Sequence, residues 1–177
     1  LAEKLFSEAA RAAPKASEAQ LKALYGLGAT LSLRNPNPDE EGGAARYREV
    51  LALAPRSDLA AWSLLALARL EHAVPVGREP DYEKVRLAYQ NVRDSYPEHP
   101  AAEEAFIYQQ ATWVSTLDPK DAARALRELS AFIQSRPASH FLGPAWALAA
   151  ECYASMGEPA RRLAARIKAL EHKEIDP

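Results

Sequence analysis

A single cysteine, Cys152, stands in 177 residues, so no internal disulfide can form and a cysteine-based metal site has too few thiolates. β-Branched residues are nearly as scarce, with six valines, four isoleucines and three threonines against 37 alanines. Sheets are built from the types that are missing, whereas the plentiful Ala, Leu, Glu and Arg favour helix. An excess of charge of one sign is missing too: 22 basic residues meet 24 acidic ones, a net −2, so no global field draws nucleic acid or an anionic membrane. No run of about eighteen apolar residues occurs, which leaves no membrane-spanning helix, and no charged stretch followed by an apolar one opens the chain in the manner of a signal peptide. One thiol suits a reducing or an oxidising compartment alike. The first residue is Leu1 rather than Met, which reads as an internal start within a longer gene product.

What is present is a period. Pro14, Pro55, Pro97 and Pro137 each follow a helical pattern and stand 41, 42 and 40 residues apart. A fixed interval near forty in an Ala/Leu/Arg/Glu-rich chain predicts a solenoid of helix hairpins, each burying its apolar face against its neighbours. The units are a half repeat at 1–14 and repeats at 15–55, 56–97, 98–137 and 138–177, forming one domain of about nine helices. Helix starts are marked by Ser17 with Gln20, by Asp39, by Ser57 or Asp58, by Asp81, and by Asp118 followed by Pro119. The stretch 58–73 carries Trp62, Leu64, Leu65, Leu67 and Leu70 on more than one face, so it belongs in the centre. The helix at 101–116 has two registers open: Phe106 with Trp113, or Ile107 with Ala111 and Val114. In the last hairpin Leu163, Ile167 and Leu170 form the packing stripe, opposite a polar face of Arg161, Arg162, Arg166, Lys168 and Glu171, as suits a terminal capping helix.

The clearest unit lies at 146–157, where Trp146, Ala149, Ala150 and Tyr153 share one helix face and Gly157 falls just past the end. Neighbouring helices approach closely where a small residue such as Ala150 faces a bulky one, so Trp146 is read as core. This spacing resembles the first helix of a tetratricopeptide repeat. Leu24, Leu27, Gly28 and Leu31 resemble it again with leucine for both aromatics, and Ala2, Phe6, Ala9 and Pro14 resemble the second helix of a repeat whose first helix is absent. The resemblance implies an all-α fold, a right-handed α-solenoid of antiparallel hairpins. The approaches at 96–105 and 136–150 look like the bacterial envelope subgroup, which includes outer-membrane assembly lipoproteins and the Tol-Pal periplasmic protein. That likeness places the chain in the periplasm or envelope ahead of the cytoplasm.

Catalytic constellations are weak. His72, His99, His140 and His172 show no i, i+4 pair and no HExxH spacing; His99 with Glu103 could touch one ion, but reads as a solvated turn residue beside a helix start. Glu40-Glu41 and Glu103-Glu104 are adjacent, so their side chains diverge by about 100° and serve first turns through the helix dipole. Gly26-Leu27-Gly28 has no preceding strand and no third glycine. Cys152 reads as a small core residue. The cluster at 161–168 is amphipathic, yet Glu158, Glu171 and Glu174 make it a solvated face. The chain is therefore expected to bind no metal or cofactor, to catalyse nothing and to take no nucleic acid.

The function that follows is a non-catalytic scaffold presenting a groove to a peptide or protein partner. In tetratricopeptide proteins the groove is lined by the first helix of each hairpin, which implies Lys22, Tyr25, Trp62, Arg69, His72, Tyr108, Thr112 and Glu151 here. Aromatic anchors mixed with Arg and Glu suit peptide recognition. Two alternatives remain: a structural or self-associating segment of a larger envelope protein, and a regulatory helical domain of a larger enzyme. An incompletely covered first helix, with Leu5, Phe6 and Ala9, implies self-association through that helix.

Overall fold

The computed structural model of the chain describes residues 1–74 and 77–172. Part of the loop at 74–80 and the end of the last repeat, with Glu174, lie outside the described residues. Among the described residues the chain is all-α, with nine helices and no strand: α1 (Ala2–Ala12), α2 (Glu18–Ser32), α3 (Glu40–Leu53), α4 (Asp58–His72), α5 (Tyr82–Ser95), α6 (Pro100–Val114), α7 (Pro119–Ser135), α8 (Leu142–Ser155) and α9 (Pro159–Glu171). Connections are short, so chain neighbours within each unit run antiparallel. Consecutive helices pack on one another from α1 to α5 and again from α7 to α9, with α2 also touching α4, the layered pattern of a helical-repeat solenoid. Contacts divide the chain into two compact units, Leu1–Ala102 and Glu103–Pro177.

The helix ends explain the forty-residue period. Each closing proline forces its predecessor out of the helical region: Ala54, Tyr96 and Arg136 take nearly one conformation, with φ/ψ of −148/70, −137/56 and −130/62. Two residues beyond the prolines, Ser57, His99 and Ser139 then repeat a single turn, their amides donating to the carbonyls of Ala54, Tyr96 and Arg136 at 3.0, 3.0 and 3.1 Å. The side chains of Ser57 and His99 start the next helix, accepting from the amides of Ala60 (3.2 Å) and Ala101 (3.1 Å), while Ser139 accepts from the amide of Phe141 (3.0 Å), the residue just before α8, which has no side-chain cap. The other expected caps form as well: Ser17 accepts from Gln20, Asp39 from Gly42, Asp81 from Lys84 and Asp118 from Lys120. At the far end of α8, Gly157 takes φ +72 and the Glu158 amide reaches back to the Tyr153 carbonyl at 2.9 Å, a left-handed stop that favours glycine.

In the first unit, bulky rings sit over glycines. A Cβ added to Gly28 would lie 2.8 Å from the buried Tyr47 ring, and one added to Gly26 would lie 2.7 Å from Phe6. The absent side chains let α1 and α3 close on α2. Leu21, Ala23, Leu24, Ala10 and the fully buried Val50 complete that core. Helix α4 is central as expected, packing on α2, α3 and α5 with Leu65 fully buried. In the second unit Phe106 stacks on Phe132 at 4.8 Å, over a core of Ile107, Ala125, Leu129, Ala145 and Cys152. Both registers considered for α6 contribute: Phe106 and Ile107 are buried, and Trp113 and Val114 pack at half burial on the same cluster.

Two expectations are overturned. Trp146 is only half-buried, while the Phe106–Phe132 cluster takes Ala145, Leu148 and Cys152 from α8 and Met156 from just beyond its end. The buried small residues Ala149 and Ala150 hold the close approach without it. On α9 the assumed packing stripe faces solvent: Leu163, Ile167 and Leu170 are 64, 49 and 70 % exposed. The buried residue of α9 is Ala165, because α8 presents small residues at this junction and a small partner allows the closer approach. By helical spacing Arg162 and Arg166 flank the apolar stripe, while Arg161 and Lys168 lie round toward the Ala165 side.

Candidate functional site

The first unit holds five of the expected groove residues. Tyr25 and Arg69 are brought together from α2 and α4. Burial raises the Tyr25 phenol above its ordinary value, the neighbouring Tyr47 adds to this, and Arg69 opposes it. The Tyr25 and Tyr47 rings lie 5.5 Å apart, tilted by 56°. Lys22 is exposed and held by Glu18 at 2.6 Å, one helical turn away. Trp62 meets His99 edge to face at 5.3 Å, so this pair joins one hairpin to the start of the next. His72 is drawn toward α5: its Nδ1 lies 3.0 Å from the hydroxyl of the fully buried Tyr89, with Tyr82 edge-on at 6.5 Å. Burial pushes the His72 pKa down.

The second unit places the other three differently. Thr112 is fully buried, its hydroxyl donating to the Gln109 carbonyl at 2.7 Å, and so it lines no groove. α6 is buried on more than one face, which sequence periodicity could not separate from an ordinary amphipathic helix. Tyr108 is half-buried. Glu151 is engaged by Arg166 of α9 in a short charge-assisted contact. His99 is not a solvated turn residue: it packs on Trp62 and caps α6. The carboxylate of Glu103 instead accepts from Arg136 Nη1 at 2.6 Å and Ser139 Oγ at 2.5 Å.

A surface that the sequence pattern did not single out lies on the other side of α4. Leu64, Leu67 and Leu70 floor a groove of about 510 Å³, walled by α3 through Ala44 and Arg48 and by α5 through Ala88 and Asn91. Glu40, Glu41 and Glu71 stand at its rim. Arg48 reaches Glu41 at 3.1 Å and Lys84 reaches Glu71 at 2.5 Å, while Glu40 makes no ion pair among the described residues. The excess of leucines around α4 was its signal, since a helix apolar on more than one face needs more cover than one neighbour gives.

Chemistry-bearing groups are built into packing. Cys152 is fully buried and its thiol is pushed up to about 11 by that burial, which keeps it protonated and poorly nucleophilic. Among the described residues no three His, Cys, Asp or Glu side chains gather as a metal could require, and no helix is long and apolar enough to cross a membrane. The groove on α4 combines three leucines with a polar lining of Glu40, Glu41, Arg48, Glu71 and Asn91.

The residues and their packing thus define a class, an all-α protein of stacked helix hairpins with a repeated turn. Comparison with protein-family models, with curated proteins and with solved structures gave no match, so the resemblance to tetratricopeptide repeats rests on the residues named above.

Proposed function

We propose that the chain is a non-catalytic interaction scaffold of the tetratricopeptide type that holds a peptide segment of a partner protein. The observation that carries this reading is the groove between α3, α4 and α5, with its leucine floor and carboxylate rim. It suits a segment with apolar anchors at helical spacing and cationic flanks. The surface around Tyr25 and Arg69 is the competing site. Peptides selected from a displayed random library should bind the parent, lose binding to a Glu40→Lys, Glu71→Lys double variant and keep binding to Arg69→Ala. The opposite pattern would move the site to the first-helix surface, and failure to enrich any peptide over an unrelated helical bundle would sink the scaffold reading.

A second reading, a self-associating structural segment, is favoured by α1. Leu1, Leu5 and Phe6 are 99, 55 and 36 % exposed there, a run of apolar surface of the kind that finds a partner. Sedimentation across a concentration series tests it: mass should rise with concentration, and a monomer throughout would exclude it.

A further inference from the structure

Several helices match their cations with carboxylates, as in Lys22 with Glu18 on α2, Arg48 with Glu41 on α3 and Lys168 with Glu171 on α9. α7 departs from this habit. Its Lys120, Arg124 and Arg127 stand exposed at i, i+4 and i+7, on the side opposite the buried Ala122, Ala125 and Leu129. None of the three forms an ion pair among the described residues. We propose that this basic ridge is a docking surface for an acidic helical segment of a partner protein, distinct from the groove on α4.

Carboxylates stand near along the chain but are used otherwise. Asp118 accepts from the Lys120 amide at 2.7 Å, and Asp121 from the Thr116 hydroxyl at 2.9 Å. Glu128 follows Arg124 by one turn, in the cation-first order that pairs more weakly than the Glu18–Lys22 order of α2. The Arg124 guanidinium lies instead over the Trp113 ring, 4.1 Å from its centre. Stacked on an indole, a guanidinium keeps the N–H donors at its edge free while its long stem is held. Arg124 therefore meets an arriving anion with less ordering left to do.

Spacing and neighbours select the occupant. The ridge runs for roughly 10 Å along the helix axis, and a second helix with Glu or Asp at i, i+4 and i+7 presents carboxylates at the same interval. Three pairs then form together, as flanking charges do between coiled helices. Ala123 and Ala131 are exposed on the same side and leave room for a helix to approach. Duplex nucleic acid fits less well, since its binding grows with the number of phosphates neutralised, and Glu128 beside Arg127 opposes a continuous row of phosphates. A partner helix can set a neutral or basic residue opposite Glu128. An anionic bilayer takes large apolar side chains along with basic ones, and alanines supply little to insert.

An amide-resolved NMR titration of the isotope-labelled chain tests the ridge. The probe is a capped alanine–glutamine helical peptide with Glu at i, i+4 and i+7, and its control is an isomer with Glu at i, i+2 and i+5, which scatters the charges around the helix. Low salt and peptide up to roughly 1 mM suit exposed pairs of this strength. The spaced peptide should shift the amides of the α7 ridge to saturation, and an Arg124→Gln, Arg127→Gln double variant should bind about tenfold more weakly. Should that variant lose helicity by circular dichroism, Lys120→Gln with Arg127→Gln leaves the Trp113 stack in place and should weaken binding likewise. The Glu40→Lys, Glu71→Lys variant of the α4 groove should bind as the parent does, so the ridge and the groove stand or fall separately. No saturating shift at the ridge, or equal binding of the scattered isomer, would overturn the proposal. A short DNA duplex or phosphatidylserine vesicles that engaged the ridge more tightly than the spaced peptide would overturn it in favour of a phosphate-bearing partner.

Discussion

The α2–α3 and α8–α9 hairpins carry comparable apolar spacing yet use it in opposite directions. In α3 the large residues point inward: Tyr47 covers Gly28 and Val50 is fully buried. In α9 the inward residue is Ala165, and the large ones point outward. The difference lies at the crossing. Both partner helices offer a glycine, but what closes on it differs: at Gly28 it is the Tyr47 ring, whereas a Cβ added to Gly143 of α8 would meet the backbone carbonyls of His172 and Ala169 at 3.1 and 3.4 Å, so no large side chain of α9 is seated there. An apolar period therefore shows that a helix has an apolar face, while the crossing with its partner decides where that face turns.

The largest expected effect breaks the α2–α3 side of the comparison. Truncating Tyr47 to Ala should cost about 3–5 kcal/mol, the range for removing a buried aromatic, read from the urea midpoint at unchanged slope. Next comes Gly28→Ala. In an exposed helix interior this change stabilises by up to about 1 kcal/mol, but here the new Cβ would meet the Tyr47 ring at 2.8 Å. We expect a loss of about 1–3 kcal/mol, as for overpacked cores. A gain on thermal melting would show that the close approach has slack.

A pH series sharpens the comparison at the α4–α5 hairpin. Burial holds His72 below its ordinary 6.5, so the unfolded chain takes a proton that the folded one resists, and stability falls as pH drops below that value. Denaturation at about pH 7.5 and about pH 5.5 should show this fall in the parent and a smaller one in His72→Gln. An equal fall in both would assign the dependence to other groups. The smallest effect belongs to α9: Ile167→Ala should change stability by less than about 0.5 kcal/mol, as for exposed positions. A loss near that of Tyr47→Ala would mean that the stripe is packed.

Much of the fold was legible in the sequence because its signals are local. Proline bars its predecessor from the helical region, and Ser, Asp and the Asp118-Pro119 pair start helices by satisfying their first amides, so the forty-residue units and the caps could be read from spacing. Gly28 as the small partner in a close crossing was readable for the same reason. Burial depended on tertiary partners and was not: Trp146 carries the defining spacing yet is only half-buried, and Thr112 lies on a side of α6 that is closed off. Of the expected groove residues, the Tyr25–Arg69 pairing followed from two first helices lying side by side, since α2 touches α4. Trp62 and His72 went to inter-helix contacts because His99 and Tyr89 offered them ring and hydroxyl partners.

The claim on which the account turns, that α9 shows its aliphatic side to solvent, can be measured inside one helix. Ala165→Cys and Ile167→Cys place thiols two residues apart, and native Cys152, buried with its pKa raised to about 11, stays silent as the internal reference. At low concentration, where copies do not meet, a maleimide should label the thiol at position 167 at the rate of a free thiol and the one at 165 only on unfolding. Fast labelling at 165 with protection at 167 would contradict the outward stripe.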